Sequence, residues 1–133
     1  MAPTALIIDD NSVVRSMLRL GLEWRGWSVV EAKNPYEGLV TFREVGPRLV
    51  TLDLVMPIND GVDALHLARM IRDEDPEAIL FVVSAFATKE DLKAFFQRQG
   101  VELFDKTNAD SPNFDKLFER VDQLFPQPGA HSG

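Results

Sequence analysis

Five short β-prone runs, at residues 5–8, 28–31, 49–54, 79–84 and 101–104, alternate along the chain with stretches of helical patterning. That order, strand then helix throughout, argues for a parallel sheet with helices on both of its faces. Two runs, Leu49-Val50-Thr51-Leu52-Asp53-Leu54 and Ile79-Leu80-Phe81-Val82-Val83, are almost continuously apolar, as strands covered on both sides must be. They belong in the middle of the sheet.

Local signals mark the helix ends. Asn34-Pro35 followed by Glu37 supplies an N-cap, a proline at the first helical position and the acidic partner of a capping box. Thr88 with Asp91, and Ser111 before Pro112, follow the same logic. Gly26, Gly46 and Gly100 each close a helical stretch before the next strand. In the last helix Phe114, Leu117, Phe118, Val121, Leu124 and Phe125 recur at helical spacing, so one stripe docks on the sheet as core. Residues 1–125 are expected to form one domain, and residues 126–133, with two prolines and two glycines, a flexible tail.

A net charge of −7 leaves no basic field for attracting nucleic acid or anionic lipid. Without cysteine there is no disulfide framework and no thiolate metal site. The start of the chain has no basic region or long apolar stretch, and no segment approaches the length of a membrane span, so a cytoplasmic protein is expected. His66 and His131 have no companion at metal-ligand spacing.

The chemistry-bearing residues sit at the ends of the runs. Asp9-Asp10, Asp53, Ser84 and Lys106 follow or close the first, third, fourth and fifth of them. In a parallel sheet those carboxyl ends meet at one edge, bringing together three carboxylates, a hydroxyl and an ammonium. Such a set suits a hard divalent cation and a phosphoryl group. Each residue also has a plainer use: Asp9-Asp10 suits a helix cap as well as a metal site, Ser84 a strand-end turn, and Lys106 the surface. Asp53 is harder to explain away, because an ionised carboxylate in a buried strand is costly unless compensated.

The segments Ile8-Asp9-Asp10, Asp53-Leu54-Val55-Met56-Pro57 with Asp60-Gly61, Ser84-Ala85 and Asp105-Lys106 resemble the receiver domains of two-component response regulators, with the stand-alone chemotaxis-type regulators most similar. The resemblance covers residues 6–124. It implies a doubly wound, flavodoxin-like α/β fold, a five-stranded parallel sheet of order 2-1-3-4-5 flanked by five helices. Asp53 would be the phosphoacceptor, taking a phosphoryl group from a sensor histidine kinase or phosphotransfer protein. Asp10 would bind Mg²⁺ directly and Asp9 mostly through water, with Asp53 and the Val55 carbonyl completing the protein's ligands. Ser84 and the Ala85 N–H would hold phosphoryl oxygens, and Lys106 would pair first with Asp53 and then with the phosphate. Phosphorylation would alter the face made by the fourth helix, fifth strand and last helix, where Phe95 and Phe96 cannot both turn inward, and so recruit a protein target. The implied role is a signalling phosphoacceptor, not an enzyme.

Two departures from the family pattern matter. Thr107 stands where the family has a proline after its lysine, and since a cis bond before a non-proline residue costs about 2.5–4 kcal/mol, that bond is expected to be trans. Three residues before the lysine, where the family carries a switch aromatic, this chain has Leu103, with Phe104 beside it. Either Phe104 takes over through a shifted register or the ring switch is absent. Val55 and Phe86 flank the expected path of water to the acyl phosphate, and neither can orient a water molecule.

Other functions fit less well. A phosphorylation-independent binding module has no need for clustered carboxylates that repel one another. A nucleotide-dependent enzyme would need a phosphate-cradling glycine loop after the first strand, and Ile8-Asp9-Asp10-Asn11-Ser12 would repel a pyrophosphate.

Overall fold

The computed structural model describes residues 2–56, 61–84, 90–105 and 114–126. Strands and helices alternate strictly: β1 (Thr4–Ile8), α1 (Ser12–Trp24), β2 (Ser28–Ala32), α2 (Pro35–Val45), β3 (Leu49–Asp53), α3 (Ala64–Glu74), β4 (Ile79–Ser84), α4 (Glu90–Arg98), β5 (Glu102–Asp105) and α5 (Asp115–Leu124). All strand pairs are parallel, in the order β2-β1-β3-β4-β5. This is the expected doubly wound fold. The sheet order reverses direction between β1 and β3, so the chain crosses to opposite faces on either side of that point and leaves a crevice at the strands' carboxyl ends.

The apolar runs sit where their composition requires. Every residue of β3 is buried, as are five of the six in β4, whereas the edge strands β2 and β5 are only partly covered. Alternate side chains feed two cores. On one face Ile7, Phe81 and Val83 meet Leu18 and Leu22 of α1 and Leu117 and Val121 of α5. On the other, Leu52 and Val82 meet Phe42 of α2, Leu67 and Ile71 of α3 and Phe96 of α4. The stripe from Phe114 to Phe125 packs on the first core as expected, though α5 ends at Leu124 and Phe125 instead meets Trp27 edge-on, ring centres 4.8 Å apart.

The Asn34 cap is present: its side chain accepts from the Glu37 N–H at 2.8 Å and donates back to the Glu37 carboxylate at 3.2 Å, with Pro35 in the first turn. Gly46 caps the far end of α2 at φ 56°, a left-handed conformation that costs glycine least. β5 starts one residue later than its apolar run suggests, because the Val101 N–H still bonds to Phe96 O at the close of α4. The caps read at Thr88 and Ser111 lie outside the described residues. No helix among the described residues is long and apolar enough to cross a membrane.

Candidate functional site

β3 and β4 end on Asp53 and Ser84, and Asp9 follows directly on β1. The register, Ile8 beside Leu52 and Asp53 beside Val83, brings these positions to one edge of the sheet. Carboxylate oxygens of Asp9, Asp10 and Asp53 all lie within 4.8 Å of one another. Asp9, Asp53 and Ser84 are buried, with exposures of 1%, 3% and 0%, while Asp10 is exposed at the mouth. Lys106 and Ala85 lie outside the described residues.

The turn after β1 explains the first two carboxylates. Asn11, not Asp9 or Asp10, caps α1, its side chain accepting from Val13 N–H at 2.9 Å and Val14 N–H at 3.2 Å. The cap reading of the aspartate pair is thereby corrected: asparagine already fills that place, and both carboxylates stay turned to the pocket. Asp9 is held by its N–H on Ala32 O (3.1 Å), by its Oδ1 on Asn11 N–H (2.8 Å) and by its carbonyl on the Arg15 guanidinium (2.7 Å). After β3, the Val55 N–H donates to Asp53 Oδ1 at 3.1 Å and turns the backbone past the carboxylate. Gly61, just before α3, takes φ 77°, a left-handed conformation that favours glycine.

Three carboxylates this close repel one another, and two of them are out of water. A divalent cation relieves both costs, and the donors are hard oxygens with one exposed approach, so the pocket suits Mg²⁺-like chemistry. Arg15 and Glu31 were not singled out by sequence, although they support the turn: Arg15 Nε donates to Glu31 Oε1 at 2.9 Å and Arg19 Nε to Glu31 Oε2 at 2.6 Å. Burial of Glu31 pushes its carboxyl up, but the bonds from Arg19 and Arg15 together outweigh that and hold it below its usual range. An arginine one turn into the helix after an Asp-Asp pair was the available signal, though its partner sixteen residues away was not visible.

Residues 5–121 match the family model of the response regulator receiver domain. The chain belongs to that family. The receiver domain is 33% identical over 93 residues to the chemotaxis protein CheY of Halobacterium salinarum, covering 70% of this chain and 75% of that protein. The structure of the Thermotoga maritima response regulator TrrA in complex with Mg²⁺-BeF is similar at a TM-score of 0.74 and 28% identity, over 92% of this chain and 98% of that one. Longer proteins match as well, among them the probable transcriptional regulatory protein TcrX of Mycobacterium tuberculosis, 30% identical over 88 residues, of whose length this chain spans 36%. The chain is thus a receiver domain of two-component signalling, a phosphoacceptor rather than a conventional enzyme, with its acidic pocket at Asp9, Asp10 and Asp53.

Two expectations about the switching face meet the structure here. Leu103 and Phe104 pair with Val82 and Val83 in unbroken register. Leu103 packs on the α2–α4 side, and Phe104 on the opposite side against Phe81, ring centres 4.8 Å apart. Phe96 is buried and Phe95 is 39% exposed, as adjacent helical positions require. Phe95 lines a shallow cleft with Leu65, Arg69 and Met70 of α3, which turns this ring toward α3 and not toward α5.

Proposed function

We propose that Asp53 accepts a phosphoryl group from the phosphohistidine of a sensor kinase or phosphotransfer protein, and that the resulting charge resets a protein-binding surface. An Asp53 carboxylate oxygen bonds to phosphorus as the bond from phosphorus to the donor imidazole breaks, and the imidazole takes a proton from solvent. Asp9, Asp10, Asp53 and the Val55 carbonyl would hold Mg²⁺, which when bound would supply neutralisation of charge on the phosphoryl oxygens. Ser84 donates its hydroxyl to a phosphoryl oxygen beside the Ala85 N–H, and Lys106 pairs with the phosphate.

The observation that carries this reading is the meeting of Asp9, Asp10 and Asp53 within 4.8 Å at the end of a buried strand. Charge neutralisation and alignment are most of what phosphoryl transfer asks of a protein. Residues 1–125 would make up the phosphoacceptor unit, with 126–133 as a tail, working in the cytoplasm. The donor has a seat: Val13, Met17, Leu20 and Trp24 form an exposed apolar stripe on α1, spaced four, three and four residues apart. That spacing fits a helix laid alongside. Val13, at its head, follows Asp10 by three residues, so a histidine on such a helix would be brought toward the pocket.

The surface reset is placed on α4, β5 and α5, and with Leu103 in the switch position it runs without a rotating ring. The alternative, a module that binds partners whether phosphorylated or not, predicts a surface indifferent to Asp53. Amide exchange before and after phosphorylation separates the two. Altered protection across α4, β5 and α5 is expected, and an unchanged exchange pattern on phosphorylated protein would favour the alternative.

A further inference from the structure

We propose that Arg15 is a positioning residue for the metal pocket: clamped by Glu31 of β2, its guanidinium fixes the Asp9 carbonyl and with it the direction in which Asp9 and Asp10 present their carboxylates. The inference rests on the reading of that pocket as a Mg²⁺ site. Arg15 Nη1 donates to the Asp9 carbonyl at 2.7 Å while Nε of the same group donates to Glu31 Oε1 at 2.9 Å. The other Glu31 oxygen is taken by Arg19, so the carboxylate that holds Arg15 is itself held from both sides. The Asp9 N–H bonds to the carbonyl of Ala32, the next residue of β2. Both backbone polar groups of Asp9 are therefore tied to the end of β2, one directly and one through the Arg15–Glu31 pair.

The Asp9 carbonyl belongs to the planar peptide joining Asp9 to Asp10, so fixing it orients both Cα atoms at once. Mutual repulsion pushes the three carboxylates apart, and Asp10, exposed at the mouth, is the one free to swing away. A turn held from behind keeps the ligands converged before the cation arrives. That is preorganisation by an outer partner, and changing such a partner typically costs about 10–100-fold in metal affinity.

A plainer account makes Arg15 a surface ion pair, worth little. Another makes it only a positive counterweight to the carboxylates. The sign of one measurement separates all three. A guanidinium beside a divalent cation repels it, so removing charge alone tightens Mg²⁺ binding, removing a surface pair leaves it unchanged, and removing a positioning contact weakens it.

Mg²⁺ binding should be measured by titration calorimetry on the native protein, Arg15→Met, Arg15→Lys, Glu31→Ala and the Arg15→Met/Glu31→Ala double variant. Arg15→Met is expected to weaken Mg²⁺ about tenfold. Arg15→Lys should fall short as well, since an ammonium keeps the charge but cannot hold the Asp9 carbonyl and Glu31 in one planar fork. Glu31→Ala should weaken binding through Arg15, so the double variant should be no worse than Arg15→Met alone. Circular dichroism on Arg15→Met checks that it is folded, and Arg15→Lys carries the test if it is not. Binding as tight as native, or tighter, in folded Arg15→Met would overturn the positioning role while leaving the pocket intact. Mg²⁺ failing to bind the native protein would overturn both.

Discussion

At the scale of single residues, the most telling position is Asp53, a carboxylate at the end of a fully buried strand with a second buried carboxylate, Asp9, beside it. Such a pair is tolerated where a cation is close at hand. Mg²⁺ at millimolar concentration should therefore raise the melting temperature of the native protein by mass action, and Asp10→Asn should abolish most of that gain. Coincident melts of the native protein with and without Mg²⁺ would contradict the metal assignment. These aspartates were legible in the sequence because a charge inside or just past an apolar run has few structural uses. Arg15 was not, because arginines on helix faces are commonplace and its meaning depends on Glu31, reached only when α1 packs beside β2. The Asp9-Asp10 pair alone left cap and metal site open, and only the geometry of Asn11 closed the first possibility.

At the scale of elements, local chemistry was read well and contacts between elements poorly. The Asn34-Pro35 cap and the left-handed close at Gly46 depend on neighbours in sequence, and both appear as expected. The start of β5 moved by one residue because the closing turn of α4 keeps Val101, which no propensity records. The contact between α1 and α5 is a clearer case. Gly21 looks like a weak point within α1, where alanine would ordinarily gain about 1 kcal/mol. A Cβ there would fall 2.1 Å from Cζ of Phe118, whose ring lies 4.6 Å beneath the Arg25 guanidinium, which in turn pairs with Asp122 of α5 at 2.9 Å. Gly21→Ala should thus destabilise the protein by about 1–3 kcal/mol, the usual range for overpacking. Denaturant unfolding checks it. In a Phe118→Ala background the same substitution should become neutral or stabilising, and a loss of equal size there would show that the ring is not the cause.

At the scale of the whole molecule, the strictly alternating elements announced a parallel sheet, and the near-continuous apolar runs placed β3 and β4 at its centre. The order β2-β1-β3-β4-β5 came from the family resemblance, since the spacing of strands along a chain does not say which become neighbours. That order is what gathers residues from β1, β3 and β4 at one edge, so the pocket is a property of the topology as much as of its aspartates. The same edge should also set how long a phosphoryl group survives. Val55, 57% exposed and two residues past Asp53, offers no group to orient water; Phe86, the second position the resemblance implies, lies outside the described residues. Replacing them together, Val55→Asn with Phe86→Glu, should speed loss of label from phosphorylated protein in Mg²⁺ by improving the placement of the attacking water. Equal or slower loss would count against this role. The most direct test of the whole account is the intact mass of the chain after incubation with Mg²⁺ and acetyl phosphate, followed by peptide mapping of the modified form. The account predicts the gain of one phosphoryl group, located on Asp53, dependent on Mg²⁺ and absent from Asp53→Asn; a native protein that gains nothing, or gains it elsewhere, would contradict it.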